Sequence, residues 1–206
     1  MAEGWEDAWR DFHHGVRAGR LWVCPPWELP KAVPVYPPGV GGLAAGVSSV
    51  EEPPPDAIPV VIDPGRAFGT GAHPTTRLCL ELLQEVEPTS LLDVGCGSGV
   101  LSIAAAKLGF APVRAVDLDE TALEVTAANA AANGVVVDIA DELLPANLAV
   151  MNIALDVVER MLPELPVERA ITSGYLDRDE PRVDRWRRVE RRVRDGWAAD
   201  LLEFRP

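Results

Sequence analysis

Three glycines alternate in the run Asp93-Val94-Gly95-Cys96-Gly97-Ser98-Gly99, which follows the apolar pair Leu91-Leu92 and leads into the apolar stretch that begins at Val100. Glycines at such a strand-to-helix junction let backbone amides come close to a ligand, and the helix N-terminus behind them favours a negative group. Twenty-two residues after Gly95, at the end of the next apolar run, stands Asp117. A carboxylate in that place can accept both hydroxyls of a ribose. A glycine motif alone is weak evidence, but strand, loop, helix, strand and acid in register point to a nucleoside.

The spacing also discriminates among nucleosides. A dinucleotide loop favours G-x-G-x-x-G, whereas the sixth position here is Val100, the glycines fall as G-x-G-x-G, and Asp93 lies two residues before the first of them. These features fit S-adenosylmethionine better than a pyrophosphate. A second glycine cluster, Ala67 to Thr76, precedes the first and contains Phe68, Gly69, Thr70, His73 and Thr76. A histidine before proline in a glycine loop reads as a turn-holding residue ahead of a general base, and Cys96 reads as a small loop filler ahead of a nucleophile.

The elements that must position these residues follow from periodicity. Residues 75–86 carry a threonine cap followed by Leu78, Leu82 and Leu83 at helical spacing, residues 99–109 form a helix ended by Gly109, and residues 119–134 form one capped by Asp119 and stopped by Gly134. Short apolar runs at 90–94, 112–117, 135–139, 147–153 and 169–174 supply strands. Strands alternating with helices imply an α/β fold with a parallel sheet covered on both faces. Upstream, Trp5, Ala8, Trp9 and Phe12 mark one face of a short helix, "RLWVCPPW" a brief strand and "AIPVVID" another. Pro25 to Pro64 holds eleven of the nineteen prolines and reads largely as linker. The expected organisation is an N-terminal flap and Pro/Gly-rich linker over 1–62 and a catalytic domain over 63–206.

Composition narrows the partners. A net charge of −13 argues against nucleic acid, which is bound by neutralising phosphates, and suits a basic protein. Eight arginines stand among four acids in residues 178–194, a cluster read as a solvated, ion-paired helix with a basic docking face as the alternative. Three widely spaced cysteines form no paired-ligand motif, so no structural zinc or other metal is expected. With no export signal or membrane span legible, the expected location is the cytoplasm.

The runs "DVGCGSGVLSIAAAKLG" and "AVDLDETALEVTAANAAANG" resemble the seven-strand S-adenosylmethionine-dependent methyltransferases. Residues 63–76, "DPGRAFGTGAHPTT", together with "WEDAWRDF", "VMNIAL" and "DGWAADLLEF", are more narrowly similar to the ribosomal protein methyltransferase (PrmA) family. The resemblance implies a Rossmann-like sheet, mostly parallel with an antiparallel last strand. It also implies S-adenosyl-L-methionine as cofactor, with contacts falling on Thr76, Gly95, Asp117 and Asn152. Asp93, Cys96, Gly97 and Leu118 join that binding set, and Phe68, Gly69 and Thr70 would form a flap over the methyl group. Asn152 would orient the incoming nitrogen, with capping of the next helix as the competing role, and Phe68 would cover the reacting end.

The implied activity is N-methylation of protein lysine, the family's substrate being the eleventh protein of the large ribosomal subunit. Because the match starts within a few residues of Met1, the family's N-terminal recognition domain is expected to be missing. A small-molecule methyltransferase and a non-catalytic cofactor-binding protein therefore stay open as rivals.

Overall fold

The computed structural model describes residues 14–28, 55–63 and 71–206. The expected helix at 5–12, most of the proline-rich stretch and the flap residues Phe68, Gly69 and Thr70 lie outside them. Three short strands, β1 (Val16–Ala18), β2 (Leu21–Cys24) and β3 (Ile58–Val61), form a small sheet in which β1 runs antiparallel and β3 parallel to β2. The expected strands in "RLWVCPPW" and "AIPVVID" are β2 and β3.

Helix α1 (Pro74–Leu83) follows, and its cap corrects the sequence reading. The cap is His73, not threonine: Thr75 donates its amide to His73 Nδ1 at 3.4 Å, and Pro74 occupies the first helical position, where a missing N–H costs nothing. The imidazole also packs edge-on against Trp197, with ring centroids 4.9 Å apart. His73 thus holds the turn.

Next come β4 (Leu91–Val94), α2 (Val100–Lys107), β5 (Val113–Val116), α3 (Glu120–Ala132), β6 (Asp138–Ile139), β7 (Leu148–Asn152), α4 (Leu155–Met161) and β8 (Arg169–Leu176). Asp119 caps α3 by accepting the Thr121 amide at 2.9 Å, as its sequence position suggests. Strands β9 (Trp186–Arg194) and β10 (Trp197–Phe204) close the chain.

The main sheet has the order β6-β5-β4-β7-β8-β10-β9. Its first five strands are parallel neighbours, and β10, the last in sequence, runs antiparallel to both β8 and β9. The fold is therefore the α/β sheet anticipated from the alternation of elements, in the Rossmann-like form with an antiparallel last strand that the family resemblance implies.

Each face of the sheet buries its own apolar cluster. On one face Leu78 and Leu82 of α1, Ile103 of α2 and Ala130 of α3 pack with Leu91, Leu148 and Ile171. The small sheet adds Ala18, Leu21, Val23 and Val60 to this same cluster. On the other face Val158 of α4 and the following Leu162 pack on Leu92, Met151, Ala170 and Leu202.

The arginine-rich segment is a strand, not the expected helix. Asp195 and Gly196 both hold positive φ, 50° and 77°, as a tight hairpin turn with the right-handed twist of its strands requires. This local turn sets the antiparallel pairing of β9 with β10 and overrides any helical reading of the charges. The ion pairs are present: Arg194 reaches Glu81 at 2.9 Å, Arg188 reaches Glu180 at 2.8 Å and Arg187 reaches Glu203 at 3.1 Å.

Candidate cofactor site

Parallel strands deliver their carboxyl ends to one edge of the sheet, and the crevice outside that edge, where strand order reverses, is the usual ligand site of open α/β folds. Here the reversal falls between β4, which leads the run β4-β5-β6, and β7, which leads the run toward β9. A cavity of about 560 Å³ opens at this point, within the range of small-molecule sites.

The floor is the loop from Gly95 to Gly99. Gly95, Gly97 and Gly99 have φ of 77°, 56° and 79°, a left-handed conformation that other residues adopt only at a cost. The amides of Gly95 and Cys96 both donate to Val116 O, at 2.9 and 3.2 Å, which binds the loop to the end of β5. At Gly95 the fit is steric as well as conformational: a Cβ there would lie 2.6 Å from Ile153 Cγ2.

Asp117 follows directly on β5. Its Oδ2 accepts the Gly97 amide at 2.9 Å and its Oδ1 accepts the Asp119 amide at 3.1 Å. A carboxylate has about four acceptor positions, so two remain for a ligand's vicinal hydroxyls. Leu118 beside it lines the cavity and is fully exposed, a large apolar surface placed where a flat aromatic ring would cover it. Across the cavity, Asn152 at the end of β7 donates from Nδ2 to Thr76 Oγ1 at 3.2 Å, so β7 and α1 meet at the wall. Asn152 does not cap the next helix: its N-cap is Ala154, without a side-chain bond.

Thr76, Gly95, Cys96, Gly97, Asp117, Leu118 and Asn152 all line this one cavity. Asp93 stands apart from them. It is buried behind the loop, where Ser102 donates to its Oδ2 at 2.6 Å and Oδ1 has no partner among the described residues. Burial pushes its carboxyl up to about 6, against the opposing hydrogen bond from Ser102. Burial likewise pushes the Cys96 thiol up to about 12, so it is an inert thiol in the loop, 3.3 Å from the Thr126 hydroxyl.

The description "Ribosomal protein L11 methyltransferase (PrmA)" matches residues 1–200. The chain belongs to this family. It is 41% identical over 139 residues to the ribosomal protein L11 methyltransferase of Shewanella sediminis and 45% identical over 134 residues to that of Vibrio cholerae. These alignments cover 66% and 64% of this chain but 40% and 38% of the relatives, so the chain spans well under half of their length. Among solved structures, a ribosomal protein L11 methylase from Lactobacillus delbrueckii subsp. bulgaricus superposes with a TM-score of 0.70 at 26% identity. That superposition covers 94% of this chain and all of the other.

Part of the cavity lining was not legible as motif. The segment Ala140-Asp141-Glu142-Leu143, after the two-residue strand β6, also lines the cavity, as do Ile153, Val157 and Met161. Their signal was topological: β6 pairs in parallel with β5, so the residues that follow it reach the same sheet edge as Asp117.

Proposed function

We propose that this chain is an S-adenosylmethionine-dependent N-methyltransferase that modifies lysine on a basic protein, with ribosomal protein L11, the substrate in its relatives' names, as the acceptor. The observation that carries the reading is the cavity that joins Asp117, the Gly95–Gly99 loop, Thr76 and Asn152 in a chain of the PrmA family. The residues fit the cofactor. Asp117 would hold the ribose hydroxyls through its spare acceptor positions, and Leu118 would pack on the adenine. The carboxylates of Asp141 and Glu142 offer acceptors for an exocyclic amine, and the loop glycines leave room for the amino-acid portion. Asp93 supports the loop from behind.

When bound, the cofactor supplies an electrophilic methyl on a sulfonium. The protein's part is to place a nitrogen in line with it and exclude water. A lysine with a reference pKa near 10.4 reaches its neutral form at pH 7.4 only at about 4 kcal/mol, at ~1.4 kcal/mol per unit. Desolvation in an apolar-walled cavity disfavours the ammonium and lowers that cost, so a dedicated base is not required. His73 serves the turn and Cys96 stays protonated, which leaves neither as a base. Asn152, fixed by its bond to Thr76, aims the incoming nitrogen by accepting one of its hydrogens. Phe68, Gly69 and Thr70 would cover the reacting end, with the N-terminal 1–62 acting as flap and linker to the 63–206 catalytic domain.

The test is transfer of a labelled methyl group from S-adenosylmethionine to purified ribosomal protein L11 and to fractionated lysate, followed by mass spectrometry. Label on L11 lysine supports the reading. Label on small metabolites alone replaces it with small-molecule methylation, and tight cofactor binding without any transfer replaces it with a non-catalytic binder.

A further inference from the structure

Thr126 and Asn129 of helix α3 and its C-cap Asn133 stand at spacings that place them along one helix face. All three side chains bond to backbone of other elements. The Thr126 hydroxyl donates to Gly97 O at 3.1 Å. Asn133 grips β3 at its free edge, accepting the Val61 amide at 3.0 Å and donating to Val61 O at 2.6 Å. Asn129 repeats that grip two residues on, accepting the Asp63 amide at 3.1 Å and donating to Asp63 O at 3.0 Å. Its Nδ2 also donates to Ser98 O at 2.9 Å, inside the glycine loop. Asparagine is a weaker helix former than the alanines around it, so each of these bonds offsets an intrinsic cost.

We propose that Asn129 is a positioning residue: it ties the glycine loop to Asp63, two residues beyond β3, and thereby sets the affinity of the cofactor cavity. The inference rests on reading that cavity as the S-adenosylmethionine site. Ser98 lies between two left-handed glycines, Gly97 and Gly99, whose flexibility is greatest when nothing holds the intervening peptide. The buried Asn129 amide holds that peptide by its carbonyl while its second N–H and its carbonyl oxygen both engage Asp63. A loop held in its binding shape loses less entropy when a ligand arrives. Asn133 supplies an internal control, because it clamps the nearby Val61 in the same way and, in its described bonds, does not reach the loop.

The experiment compares wild type, Asn129→Ala, Asn129→Asp and Asn133→Ala. Asn129→Asp keeps an acceptor for the Asp63 amide and loses the donors to Ser98 O and Asp63 O. Two readouts are taken: calorimetric titration with S-adenosylhomocysteine, and amide hydrogen exchange of residues 97–99 in the ligand-free protein. Both alanine variants lower the melting temperature. Loss of a buried hydrogen-bond partner predicts that the two Asn129 variants weaken binding about tenfold, with Asn133→Ala within about twofold of wild type. Faster exchange at 97–99 is expected in the Asn129 variants alone. Equal shifts in Asn129→Ala and Asn133→Ala, or wild-type affinity and exchange in Asn129→Ala, overturn the inference. If wild type itself does not bind, the cofactor reading fails, and the exchange comparison still decides whether Asn129 holds the loop.

Discussion

The two wings of the main sheet are built on different principles. In the wing β4-β5-β6 the ligand-facing shape comes from backbone: left-handed glycines, two amides on one carbonyl of Val116, and a single carboxylate, Asp117, that orders Gly97. In the wing β8-β10-β9 the outer strand is laddered to β10 along its length and carries a set of ion pairs besides. Arg191 lies 3.3 Å from the buried Asp200 and donates to Asp177 O and Asp179 O, while Arg192 pairs with both Glu85 and Glu190. The Tyr175 hydroxyl lies 2.9 Å from Asp200 Oδ2 and 2.8 Å from Thr172 Oγ1, so Asp200 shares its burial with a polar network whose carboxyl is pushed up by desolvation. The difference separates two roles under the proposed function: the first wing would set what binds, while the second closes the sheet edge.

Substitutions in each wing break this contrast or sharpen it. Gly95→Ala places a methyl group into the Ile153 side chain at a positive φ, and cofactor affinity is expected to fall about 100-fold by calorimetry, from strain and steric intrusion together. Arg191→Ala strips the best-placed partner from a buried carboxylate and is expected to cost about 2 kcal/mol in urea unfolding, tempered by Arg188 at 3.9 Å, with cofactor affinity unchanged. Any loss of binding in that variant would couple the two wings.

Asp93 gives the loop wing a pH signature. Its folded carboxyl, near 6, lies above the ordinary value of 3.8, so between about pH 4 and 6 the folded state keeps a proton that the unfolded state releases. Stability therefore falls as pH rises through that window, by at most about 3 kcal/mol from this group. Asp93→Asn removes that part of the slope, while Asp200, shifted in the same direction, contributes equally in both proteins. Denaturant titrations of the two proteins across pH 4–8 measure the difference. The smallest effect belongs to Arg187→Ala, which removes a half-exposed pair with Glu203 and is expected to change stability by less than about 0.5 kcal/mol.

The same contrast explains what could be read in advance. Gly95, Gly97 and Asp117 were legible because their roles depend on residue type at a fixed offset from a strand end. The arginine segment was misread because its charges pair with Glu81, Glu85 and Glu203, far away in sequence, while the deciding local signal, Asp195-Gly196, is only two residues long. The Ala140–Leu143 wall after a two-residue strand was hidden for a related reason, since it depends on where the chain is brought by tertiary pairing, whereas the His73 cap is a local bond to Thr75 that a threonine cap was expected to supply.

The central claim is that Asp117 anchors S-adenosylmethionine in the cavity between the glycine loop and Asn152. Calorimetric titration of wild type and Asp117→Ala with S-adenosylhomocysteine, with a nicotinamide dinucleotide as the competing ligand, tests it most directly. The account predicts one site in wild type, loss of at least about 100-fold in affinity in the variant with the fold retained, and no dinucleotide binding. Equal affinity in the two proteins, or preference for the dinucleotide, would contradict it.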